Sequence, residues 1–146
     1  MKQIEFTVQG TPKGQPRVRA CIRGKHAGVY DPGTADEWKR AVRDAAVNAM
    51  EIAAIEPFDR AVRLTVSFLM PRPKSHLRSN GEEKDSAPQH HTFKPDLDNL
   101  VKATKDALTT AQVWTDDSLV IICHSSKGYC LPLMAGATIR IAEVLP

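Results

Sequence analysis

The sequence is poor in the features that make several functions easy to assign. Its three cysteines, Cys21, Cys123 and Cys130, are odd in number and form no CxxC pair. No disulfide framework is indicated, and a reduced protein is the simpler reading. No apolar run nears the roughly 18 residues of a membrane span. The opening MKQIEFTVQG alternates apolar and polar residues and has no signal-peptide core, so a soluble cytoplasmic protein is expected. Formal net charge is only +3. That is too little to announce a polyanion partner, and the distribution of charge has to carry the argument. His76, His90 and His91 fall in one segment, but no cysteine or histidine pair there has zinc-finger spacing. Surface histidines without zinc are expected. Internal repeats are absent.

What is present suits one domain over 1–146. Of its 146 residues, 42% are hydrophobic and 25% charged, enough for a buried core. Ile4, Phe6 and Val8 alternate with polar neighbours and predict a half-buried strand. Gly10, Pro12, Gly14 and Pro16 then break regular structure. The same loop carries Lys13, Arg17, Arg19, Arg23 and Lys25 with no acid between them. Helical spacing of Trp38, Val42, Ala45, Ala46 and Ala49 predicts a helix over about 34–54 with Thr34 as its cap.

Val62, Leu64, Val66 and Phe68 predict a second strand that Pro71 and Pro73 end. Residues 71–93 are rich in Pro, Ser, Lys, Arg and His and read as a long flexible loop. Positions 97, 100, 101, 104, 108 and 111 fall on one helical stripe. Strands are expected at 119–123 and 137–144, with Gly128 and Gly136 placed to turn a hairpin between them. Trp38 and Trp114 are expected in the core, and Cys123 as a small buried hydrophobe. The order β-α-β-loop-α-β-β implies an α/β or α+β fold, a sheet with helices on one face.

The chemistry concentrates between Lys94 and Ser118. Five of the 17 acids lie there, Asp96, Asp98, Asp106, Asp116 and Asp117, and no glutamate does. On one continuous helix Asp96 and Asp98 would point about 200° apart. With Asp96 at the N-cap, after Pro95, that objection disappears. Asp98 and Lys102 then share a face. Neighbouring carboxylates repel, and a hard divalent cation such as Mg²⁺ relieves the repulsion. Such an ion can activate water against a phosphodiester, and Lys102 would stabilise the developing charge. A plainer reading of the same residues stays open: a capping Asp, an ordinary i,i+4 ion pair and a solvated turn.

The stretch KPDLDNLVKATKDALTTAQVWTDDSLV, residues 94–120, resembles the signature of the RusA family of Holliday junction resolvases. The shared elements are DxDN at a helix start, a lysine four residues after the second Asp, D-A-L near the helix end, and W-x-D-D before a strand. The opening F-T-V-Q-G-T-P-K-G-Q-P-R-V-R is similar more loosely, and the segment 71–93 is longer than the family's link. The resemblance implies a RusA-like fold with a mixed sheet of about four strands and two main helices. It also implies a homodimer that hydrolyses DNA and leaves a 5′ phosphate. By position, Asp96, Asp98 and Asp117 would bind metal, Mg²⁺ with Mn²⁺ as a substitute, and Lys102 would assist catalysis. Asp116, Asn99 and Asp106 would support them.

Beside that signature the basic loop is expected to contact DNA phosphates through Lys13, Arg17 and Arg19, with Arg72, Lys74 and Arg78 next. A two-fold dimer would match the symmetry of a four-way junction cut on two strands. The expected function is junction resolution in DNA recombination and repair, in a bacterial or phage setting. The rivals are a branched-DNA binding protein without catalysis and a nuclease preferring flaps or other branched DNA.

Overall fold

The alternation at the start does produce a strand, β1 (Gln3–Gln9), with Ile4 and Val8 buried and Glu5 and Thr7 turned to solvent. The computed structural model describes residues 1–17, 19–30 and 33–146, with the side chains of residues 19, 23, 29 and 30 outside that description. Arg19, expected at DNA, therefore lies outside the described side chains. The basic segment is not simply a loop. Its backbone forms an antiparallel pair, β2 (Arg19–Arg23) and β3 (His26–Tyr30), joined by a tight turn with Gly24 at φ +62°.

Helix α1 (Asp36–Ala53) buries Trp38, Val42, Ala46 and Met50, one stripe at helical spacing. Thr34 does not cap it; Ala35 is the N-cap and no side chain bonds there. Strand β4 (Val62–Pro71) buries Val62, Leu64, Val66, Phe68 and Met70. Helix α2 (Leu97–Thr110) buries Leu100, Ala103, Thr104, Ala107 and Leu108. Trp38 donates across the helix pair to Thr104 Oγ1 at 3.4 Å, which satisfies both buried polar groups. Trp114 is also in the core and donates to Thr109 Oγ1 at 2.8 Å.

Strands β5 (Val120–Cys130) and β6 (Gly136–Glu143) complete a mixed sheet in the order β1-β6-β4-β5. Pairing is antiparallel for β1–β6 and β6–β4 and parallel for β4–β5. The expected hairpin between the last two strands is not formed. Strand β5 continues through Gly128, and β6 inserts between β1 and β4. A parallel neighbour needs a crossover, and α2 supplies it on one face of the sheet. Gly136 permits the insertion: a Cβ there would lie 2.0 Å from the Val8 carbonyl oxygen. Cys123, expected buried, is exposed, because β5 is the edge strand. Among the described residues no helix is long and apolar enough to cross a membrane.

Segment 72–93 has little regular structure yet makes defined contacts. Arg72 is 8% exposed; its Nη1 donates to the Pro88 carbonyl at 2.8 Å, and its Nη2 lies 3.1 Å from Glu83. Its guanidinium sits 4.6 Å from the Tyr129 ring centroid, with His76 and His91 packed on the same ring at 5.1 and 4.9 Å. Arg72, expected as a secondary DNA contact, is thus engaged within the chain. Arg72 is nearly buried and holds the segment onto β5.

Candidate active site

Asp96 stands at the N-cap of α2 with φ −67° and ψ 146°, extended as the sequence suggested. Its side chain makes no capping hydrogen bond. The plainest structural explanation for an aspartate at this position is therefore missing. Asp98 sits in the first turn, and neither it nor Asp96 joins an ion pair or side-chain hydrogen bond among the described residues. Asp116 contrasts with them: its Oδ1 accepts from the Ser118 amide at 2.8 Å and caps a 3-10 turn at Asp117–Leu119. Hydrogen bonding from the Ser118 side chain, and then from its amide, holds the Asp116 carboxyl below its ordinary pKa.

Lys102 lies one turn beyond Asp98 and donates to Asp106 Oδ1 at 2.9 Å. The Asp106 bond and charge, with a smaller push from Asp117, raise the pKa of Lys102 and keep it cationic. With 60% of the lysine side chain and 35% of its partner exposed, the pair contributes only about 0.3–0.5 kcal/mol. Lys102 is free to turn towards a phosphate at that cost.

The third aspartate is held elsewhere. Asp117 Oδ2 pairs with Lys105 Nζ at 3.3 Å, and Lys105 is seven residues past Asp98, about 10 Å along the helix. The expected convergence of Asp96, Asp98 and Asp117 is thus not present within this chain. Among the described residues no three His, Cys, Asp or Glu side chains gather as a metal-holding group. The reason is topological. Helix α2 runs antiparallel to β5: its entrance lies against Lys127, late in β5, and Asp117 precedes β5 at the other end.

The entrance of α2 also meets the basic loop. The Gln15 amide donates to the Asn99 carbonyl at 3.0 Å. A Cβ on Gly14 would come within 3.1 Å of Asn99 Cβ and 3.2 Å of Pro95 Cβ, so the contact is close. Between loop and helix opens a cleft of ≈ 450 Å³ lined by Lys13, Arg17, Lys94, Asp96 and Asn99, with Gly14 at its base. Lys13 and Arg17, both exposed, are therefore beside the acidic helix start, a relation that sequence separation of some 80 positions concealed. Lys74 is exposed away from these contacts, and Arg78 pairs with Asp85 at 3.3 Å.

The family model for the endodeoxyribonuclease RusA matches residues 9–141. The chain belongs to the RusA endodeoxyribonuclease family. A Bacillus subtilis (strain 168) protein described as uncharacterized protein YqaN is 34% identical to it over 131 residues, covering 88% of this chain and 89% of that one. The match to the RusA model spans both the basic loop and the acidic helix. As a RusA-family nuclease the chain carries two lysines that motif reading passed over. Lys105 is close in the helix to Lys102 but bonds to the acidic turn. Lys127 was hidden in a stretch read as a turn, and only the register of β5 reveals which side of the sheet it faces.

Proposed function

We infer that this chain is a divalent-metal-dependent endonuclease that resolves four-way DNA junctions as a homodimer, serving recombination and repair in the bacterial cytoplasm. The observation that carries the reading is the pair of uncommitted carboxylates, Asp96 and Asp98, beside a cleft lined by Lys13 and Arg17. Hard oxygen donors without protein partners suit Mg²⁺, which commonly takes one or two carboxylates and completes its shell with water and phosphate. Mn²⁺ is expected to substitute. When bound, such a cation supplies an activated water and offsets charge on the phosphodiester.

The chain's own residues do the rest. Lys13 and Arg17 bind the DNA backbone by neutralising phosphates. Lys102, released from Asp106, offers a fixed positive charge where the phosphorane-like charge develops. Asn99 and Asp106 support this arrangement from neighbouring turns of α2, and Asp116 shapes the turn that presents Asp117.

Asp117 is the third proposed ligand, and the antiparallel course of α2 and β5 favours its use between subunits. A two-fold axis brings opposite ends of one element side by side. The helix entrance of one chain and the acidic turn of another are two such opposite ends. Two sites related by that axis would also match the paired cuts a junction requires.

A synthetic four-way junction tests the reading directly. Cutting is expected in Mg²⁺ and not in EDTA, and Asp98→Asn is expected to bind the junction without cutting. Binding without cutting by the unmutated protein would overturn the enzymatic reading. Flaps cut while junctions stay intact would overturn the substrate.

A further inference from the structure

Lys127 lies on β5 opposite Phe68 in the register with β4, on the side of the sheet that carries the helices. Its Nζ donates to the Phe93 carbonyl at 2.7 Å and to the Pro95 carbonyl at 3.0 Å. Those two carbonyls bracket Lys94 and stand immediately before Asp96. A lysine ammonium is compact and strongly hydrated, and on an open surface it keeps its donors in water. Here two of the three are committed to main chain.

Among the described residues few other bonds secure this turn. The Phe93 side chain is 62% exposed and does not anchor it. The Asp96 side chain makes no capping bond that would orient it from within the helix. The basic loop packs here too, with Gly14 close to Pro95 and Gln15 bonded to Asn99, but only Lys127 bonds the carbonyls of Phe93 and Pro95 among the described residues. The ammonium also lies near His91, where its charge adds to burial in lowering the imidazole's pKa.

We propose that Lys127 is a positioning residue for the acidic site. It clamps the chain entering α2 to the strand whose other end carries Asp117, and so sets the directions of the Asp96 and Asp98 carboxylates. The inference rests on the metal-binding reading above, with one part that does not: the clamp itself is a property of the unliganded chain. Groups that orient metal ligands from behind commonly change metal affinity or activity by about 10- to 100-fold when removed.

The test uses the full chain with Lys127→Met, and with Lys127→Gln should the first variant fail to fold. Amide exchange without metal or DNA is expected to accelerate at residue 100, whose amide donates to the Asp96 carbonyl at 3.1 Å, while amides of β4 and β6 keep their protection. Mn²⁺ affinity, read by titration, is expected to fall about 10-fold or more, with junction binding in EDTA unchanged. Lys127→Arg, which keeps a cationic donor, is expected to retain most of the affinity. Unchanged exchange and unchanged Mn²⁺ affinity would overturn the proposal. Weaker junction binding with unchanged exchange would also overturn it, making Lys127 a phosphate contact. An unmutated protein that binds Mn²⁺ but cuts no branched DNA would defeat the nuclease reading and leave the clamp standing.

Discussion

Lys105 grips Asp117 at 3.3 Å, two helical turns along α2 from Asp98, and among the described residues Asp117 does not join Asp96 and Asp98 in a metal-holding group. That separation makes a specific prediction about subunit exchange. Asp98→Asn and Asp117→Asn are each expected to abolish cutting, by at least about 100-fold, beyond what removing groups behind a metal ligand commonly costs. If the site forms between subunits, a heterodimer of the two variants has one doubly mutated site and one intact site. Mixing the inactive proteins is then expected to restore nicking of a labelled junction. No recovery after verified subunit exchange would place all three aspartates in a single chain.

Arg72 is expected to matter for stability and not for DNA affinity. Its guanidinium is nearly buried, donates to Pro88 and packs on Tyr129. Arg72→Ala strands the Pro88 carbonyl and removes the cation–π contact, an expected loss of about 1–3 kcal/mol in urea unfolding. Junction binding in EDTA should stay at the unmutated level. A variant that folds normally but binds DNA poorly would refute the assignment.

His91 predicts a response to acid. Burial, and then the charge of Lys127, depress its pKa below the ordinary 6.5. The folded state therefore favours the neutral ring, and the unfolded chain takes up a proton first as pH falls. Stability from this group is complete above about pH 6.5 and is lost on acidification towards the folded-state pKa. Thermal unfolding between pH 7.5 and 5.5 should show a steeper decline for the unmutated protein than for His91→Gln. Parallel pH profiles would remove His91 from the account.

The motif in residues 94–120 was legible because its meaning is local. An aspartate after Pro95 adopts cap geometry, and Lys102 follows Asp98 by one turn, through backbone rules that hold in any fold. The buried stripes of α1, β4 and α2 were legible for the same reason, since periods of 3.6 and 2 are written directly in the order of residues. The β2–β3 pair escaped because its described side chains are mostly exposed and its sequence carries no alternation. The start of β5 was legible at 119–123, but its continuation to Cys130 escaped because an edge strand needs no apolar period, as Ser125 and Lys127 illustrate.

Sequence by itself determined which residues are proposed to act, the aspartates at a helix entrance, the W-x-D-D turn and the basic loop, and it carries the membership of the RusA family. Only the tertiary structure decided which of them meet. The crossover through α2 sets the helix against β5 in opposite directions, and Asp117 meets Lys105. The same packing brings Gly14 against Asn99 and Lys127 under Pro95. Those contacts join residues far apart in the chain, and local periodicity carries no information about them.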